Sequence, residues 1–196
     1  LILLFQMLCI TYNAILKKGY DLDEIFTYTL SNAYFAGLPH EAESMFDTWH
    51  TGAEVQSLLV PGTKPFAYAS VYANQESDVH PPLYYLLQHT VASFFPHTFS
   101  KWLGIIPNMV YFLISVLILY RMASRVSGNM WDALLICTIW GFSTQATASV
   151  LFIRMYALLA IFCLWQAELY SRLIFDVKVS RATWFAFTIS SAGHSL

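Results

Sequence analysis

Apolar residues run almost without a break from Leu1 to Leu16 (LILLFQMLCITYNAIL), give way to a mixed stretch over Lys17 to Val79, and then return in blocks. These are His80 to Phe95, Trp102 to Tyr120, Met130 to Ser149, Leu151 to Phe175 and Arg181 to Leu196. A helix needs roughly 20 apolar residues to cross a bilayer. The blocks at Trp102, Met130 and Leu151 are therefore expected to span, while His80 to Phe95 is at or below the limit. Leu1 to Leu16 reads as the end of a first span and Arg181 to Leu196 as a span cut short. The mixed stretch is punctuated by Gly19, Gly37, Pro39, Gly52, Pro61, Gly62 and Pro65, yet it is too hydrophobic for disorder. Within it, Asp23 to Phe35 (DEIFTYTLSNAYF) puts Ile25, Tyr28, Thr29 and Asn32 on one face, which predicts a short amphipathic helix opened by Asp23. A second short helix is expected over Thr51 to Leu59. No internal repeat is visible.

Composition sharpens this into a class. The chain is 57% hydrophobic and 11% charged, against about 25% charged in soluble domains. An all-α, polytopic membrane protein is the expectation, with a long first loop (17–79) between the end of one helix (1–16) and a helical bundle (80–196). The loop carries three basic and nine acidic residues and the rest of the chain seven basic and three acidic. Nothing resembles the clustered Lys/Arg surface of a nucleic-acid binder. Cys9, Cys137 and Cys163 lie in apolar runs without metal-site spacing and read as small core residues. With Leu1 first and no basic segment before the apolar run, we read the chain as part of a longer protein without an intact signal peptide.

Arg121 and Arg125 lie between two blocks, and Arg172, Lys178 and Arg181 between a later two. The positive-inside tendency makes both turns cytoplasmic. The Thr144 to Arg154 turn and His194 then fall on the extracytoplasmic face. The acidic loop joins them if His80 to Phe95 is interfacial or re-entrant, and lies opposite if that block crosses. The first arrangement is preferred, because it gathers Asp23, Glu24, His80, Arg154 and His194 on one surface.

Each of these residues has two readings. Asp23 and Glu24 either complement a helix dipole or supply a general base or metal-binding carboxylate; as helix neighbours about 100° apart they cannot form a facing glycosidase pair. His80 precedes Pro81 and Pro82, which hold it in extended backbone at the mouth of a helix whose free amides favour an anion. A plain helix start explains the prolines equally well. Arg154, in SVLFIRMYALLAIF, is a lone charge in an apolar run, costing about 3 kcal/mol at mid-membrane. It reads as a snorkelling boundary residue or as an anion clamp. His40 and Glu41 lack the second histidine of a zinc protease motif. His89 and His97 read as polar surface residues, and Tyr12, Tyr84, Tyr85, Trp102 and Trp131 as interfacial aromatics.

The order of Asp23-Glu24 after a first apolar run, HPPLYYLL (His80 to Leu87), two spans around a basic turn, and RMYAL (Arg154 to Leu158) resembles the amino-terminal part of GT-C glycosyltransferases of the protein-O-mannosyltransferase and aminoarabinose-transferase type. The resemblance implies a GT-C membrane fold with an extracytoplasmic first loop. It implies sugar transfer from a polyprenyl-phosphate donor to a hydroxyl acceptor outside the cytoplasm, in the plasma membrane or endoplasmic reticulum. On it, Asp23 would be the base, Glu24 its neighbour in the acceptor site, Arg154 the contact to the lipid-linked phosphate, and His80, Tyr156 and His194 further substrate contacts, with Mg or Mn as a possible cofactor. One departure stands out: relatives carry Gln-Glu-Ala-Arg before Met-Tyr, whereas Val150 to Arg154 reads VLFIR. A transporter and an inactive scaffold of the same fold are the competing readings. The first would favour broken helices or an inverted repeat, neither of which the sequence displays.

Overall fold

The computed structural model describes residues 1–36, 49–76, 78–175 and 180–192, the last of these with side chains to 188. Ten α-helices and no strand occur among them: α1 (Ile2–Leu16), α2 (Leu22–Asn32), α3 (Gly52–Leu58), α4 (Tyr68–Gln75), α5 (Leu83–Ser93), α6 (Trp102–Ser127), α7 (Met130–Gly141), α8 (Thr144–Leu151), α9 (Tyr156–Phe175) and α10 (Arg181–Ala192). The chain divides into two units, one of Leu1–Lys18, Asn108–Leu151 and Met155–Leu196, the other of Gly19–Pro107 with Phe152–Arg154.

The first unit carries the membrane signal. α6 (26 residues) and α9 (20 residues) are long and apolar enough to cross a bilayer, at about 39 and 30 Å by helical rise. The expected span over Met130 to Ser149 is broken: α7 and α8 are together long and apolar enough to cross, as a third span or a re-entrant pair, and meet at 58°. Ser143 makes the break, its Oγ donating to the Trp140 carbonyl (2.6 Å) and accepting the Ala146 N–H (3.1 Å), which starts a new helix. A broken helix, unseen in the sequence, is thus present. The expected span from Leu151 is also interrupted, since α9 begins at Tyr156 and residues 152–154 are not helical.

Ile10, Phe112, Val116, Leu119, Cys137, Ala146 and Val150 form the buried core of this unit. Gln6 is buried against it and donates from Nε2 to the Cys137 carbonyl (2.9 Å). A side chain at Gly141 would sit 2.2 Å from that amide, so glycine is what lets the two helices approach. Glu168 gathers Arg172 (Nη2, 2.7 Å) and Arg125 (Nη2, 3.6 Å), so a buried carboxylate in α9 is compensated rather than isolated. Of the cysteines, Cys137 is buried as expected, whereas Cys163 is exposed.

In the second unit α2 packs on α4 and α5. Its helix starts one turn-position earlier than Asp23 suggests. Asp21 is the N-cap, accepting the Asp23 N–H (3.0 Å), while Glu24 reaches back to the Asp21 N–H (2.8 Å), a complete capping box. α3 matches the expected second helix and is capped the same way by Thr51 and Glu54. α4 was not foreseen; it is pinned by Asn74, whose Nδ2 donates to the Ala33 (2.7 Å) and Leu30 (3.2 Å) carbonyls. α5 has 11 residues, about 17 Å, too short to cross a core of about 30 Å. It is also not a surface helix. Tyr84, Tyr85, Gln88 and His89 are buried, so neither the two tyrosines nor His89 sits at the surface as expected; Tyr12, Trp131 and His97 do lie exposed.

His89 owes its position to Asn32. The Asn32 amide donates to the Leu59 carbonyl (3.0 Å), which turns its oxygen toward His89 Nδ1 (3.3 Å) and fixes the proton there. Burial holds the His89 pKa below its ordinary 6.5. The unfolded chain then takes up a proton that the folded one refuses, so this contribution is intact above about pH 6.5 and is lost on acidification below it. Thermal unfolding followed between pH 7.5 and 5 should show the midpoint falling below pH 6.5, and His89→Gln should flatten that fall.

Candidate functional site

The site grows out of the first turn of α2. The capping box orients two adjacent carboxylates differently: Glu24 is wholly buried, while the Asp23 side chain is 46% exposed. Glu24 Oε2 closes the box and Oε1 accepts the Ile153 N–H at 2.8 Å, across 129 residues of chain. A charged acceptor bonded to a backbone amide is worth about 1.5–3 kcal/mol. That bond secures the non-helical 152–154 segment in the second unit. Gly104 helps, because a side chain there would lie 2.2 Å from Ile153 Cγ2.

Arg154 follows at once. It is 6% exposed and lies in the break before α9, not within a span. Its Nη2 is 3.7 Å from Asp23 Oδ2, and Nη1 donates to the Asp23 carbonyl and the Tyr85 hydroxyl, both at 3.4 Å. These are long contacts for a guanidinium, whose charge-assisted bonds shorten to about 2.7–2.9 Å when fully engaged. The group is positioned and compensated while keeping donor capacity.

Tyr85 extends the chain of contacts. Its hydroxyl donates to Asp78 Oδ2 (3.2 Å), and His80 Nδ1 donates to both Asp78 oxygens (3.1 Å each). Burial raises the Tyr85 pKa, Arg154 opposes this, and Asp78 adds to it. The phenol therefore stays protonated and can donate to Asp78 while accepting from Arg154. Nearby in the same unit, burial and Glu24 push Tyr20 up to about 12. Tyr85→Phe deletes one acceptor of Arg154 and one donor to Asp78. A stability loss of about 1–2 kcal/mol, read by thermal or denaturant unfolding, is the expected outcome.

Asp23, Glu24, His80 and Arg154 are thus all members or supports of one polar chain. Asp78 and Tyr85 join it, although the sequence reading took Tyr85 for an interfacial ring. The spacing Asp78-x-His80 ahead of Tyr85 was the available signal, since both acid and histidine lie within reach of a residue in the first turn of α5. Tyr156 opens α9 in the other unit and is 42% exposed. His194, His40 and Glu41 lie outside the described residues. No group of three or more His, Cys, Asp or Glu that could hold a metal occurs among the described residues, and Asp23 has Arg154 as its counter-ion. Compared with models of known protein families, with curated proteins and with solved structures, the chain matches none.

Proposed function

We propose that the protein is a membrane glycosyltransferase acting on a polyprenyl-phosphate sugar, with a hydroxyl group of a protein or envelope glycan or lipid as acceptor. The observation that carries the reading is an exposed carboxylate, Asp23, 3.7 Å from a buried guanidinium, Arg154, that keeps donors to spare. A hydroxyl nucleophile needs a base on one side and a phosphate leaving group positive charge on the other, so the Asp23–Arg154 ion pair, 3.7 Å apart, opens to admit the sugar between them. In the reaction the acceptor oxygen attacks the anomeric carbon as its proton passes to Asp23. The bond from that carbon to the phosphate oxygen breaks, and polyprenyl phosphate leaves with its charge against Arg154, inverting the configuration. His80, held by Asp78, supplies a further polar contact. Glu24, with one oxygen on the Asp21 amide and one on the Ile153 amide, acts by holding Arg154's segment.

Two long apolar helices support a membrane setting; the GT-C architecture, the extracytoplasmic location of the loop and the compartment belong to the proposal. The transporter reading gains the α7–α8 break. The buried polar side chains beside that break, Gln6 and Asn108, donate to the Cys137 and Val150 carbonyls. Asp23→Asn in the complete protein, reconstituted with lipid-linked sugar, should insert normally and lose at least about 100-fold of transfer, in the range of general-base removal. Transfer at the wild-type rate by that variant would remove Asp23 as base.

A further inference from the structure

Two phenylalanines of the second unit occupy left-handed backbone, Phe35 at φ 49° and Phe66 at φ 58°. A bulky L residue rarely adopts this conformation, so something must impose it. In both cases a buried serine does: the Phe35 N–H donates to Ser70 Oγ (2.8 Å) and the Phe66 N–H to Ser93 Oγ (2.9 Å). Such strain would ordinarily be offset by burying the ring. Here the rings stay 56% and 44% exposed.

They belong to a patch. Phe66 meets Phe94 edge-on at 5.5 Å, and Phe35 meets Tyr34 edge-on at 4.8 Å. Between the two pairs runs the 62–66 loop, tied at Gly62 N–H to the Pro96 carbonyl (2.7 Å) and carrying Lys64 over the Tyr34 ring at 5.3 Å. Lys64 is the single lysine or arginine between Gly19 and Val79, a stretch with nine acidic residues. The one cation of an acidic segment therefore stands beside its exposed aromatics.

We propose that this face seats in the headgroup layer of a lipid bilayer, with Phe35, Phe66 and Phe94 reaching toward the acyl chains and Lys64 meeting lipid phosphate. Three points favour lipid over a protein partner. The chain carries helices long enough to span, so a bilayer is at hand. An apolar face carrying phenylalanine beside a basic residue is the composition of a surface that lies in the membrane interface. The local charge is inverted where anionic phosphates would lie. The sugar-transfer reading is not needed for any of this.

The test places a nitroxide at Phe66→Cys or Phe94→Cys in the complete protein with Cys9, Cys137, Cys163 and every cysteine outside residues 1–196 replaced by alanine, reconstituted in phosphatidylcholine/phosphatidylglycerol bilayers. Electron paramagnetic resonance then compares collision with oxygen, which concentrates in lipid, and with a water-soluble nickel chelate. Glu54→Cys, on exposed α3, is the aqueous control. Oxygen should exceed chelate at least threefold at both phenylalanine sites, with the reverse at Glu54. Chelate-dominated collision at 66 and 94 overturns the proposal, as does protection from both reagents, which would mean a protein partner covers the face. Phe94 has an ordinary φ of −73°, so its variant reports even if Phe66→Cys fails to fold. Because no activity is measured, the result is independent of whether sugar transfer occurs.

Discussion

Arg154→Lys is expected to lower sugar transfer by about 100-fold or more, the range seen when one preorganised transition-state donor is removed, while the protein still inserts and folds. Lysine keeps the charge and loses the planar fork. The fork is what the site uses, since one guanidinium reaches the Asp23 side chain, the Asp23 carbonyl and the Tyr85 hydroxyl. An ammonium drawn to Asp23 would leave the phosphate side empty. Arg154→Gln should lose as much activity and show that charge is needed as well as shape. The stability change should be small, because the Asp23 side chain is 46% exposed and can be solvated without its partner. Initial rates with lipid-linked donor, alongside melting temperatures in detergent, separate the two effects.

Glu24→Ala is expected to be the most destabilising change in the second unit, by about 3 kcal/mol or more. Two charge-assisted bonds are lost, each of about 1.5–3 kcal/mol, and one of the donors left behind, the Ile153 amide, belongs to a fully buried residue. Glu24→Gln keeps one acceptor oxygen and turns an N–H toward another N–H, so its loss should fall between wild type and alanine. Hydrogen exchange at the Ile153 amide gives the specific readout: it should become much faster in Glu24→Ala, with Arg154 released and transfer lost as a consequence. A purely local capping role would cost only about 0.5–2 kcal/mol and leave that amide protected.

Local pattern reached the helix at Asp23, the one at Thr51 and the oddity of a lone Arg154. It put Arg154 at a turn and span boundary yet ran the span from Leu151 through it, because the residues on both sides are apolar. What breaks the helix there is a bond from Glu24, 129 residues away, and no periodicity encodes a partner at that distance. The Asp21-x-x-Glu24 box was readable, but the neighbouring Asp-Glu pair drew both carboxylates into one chemical role that their 100° separation argues against. α4 (YASVYANQ) was missed because it lacks a continuous apolar stripe; its buried face is built from Ser70, Val71, Asn74 and Gln75, and Ser70 and Asn74 bond the Ala33 carbonyl instead of packing as hydrocarbon. Tyr84, Tyr85 and His89 were misplaced for a related reason. Amphipathic rings suit a membrane boundary and a polar protein interior equally well, and only the tertiary partners, Asp78 and Asn32, distinguish the two.

In the proposed reaction Arg154 faces the phosphate of a lipid-linked sugar and Asp23 faces the acceptor. Equilibrium binding of a polyprenyl-phosphate hexose to the purified complete protein tests it most directly. Wild type should bind saturably, with weakening of at least tenfold in Arg154→Gln and a change of less than threefold in Asp23→Asn. Absence of saturable binding to wild type, or equal affinity in the Arg154 variant, would contradict it.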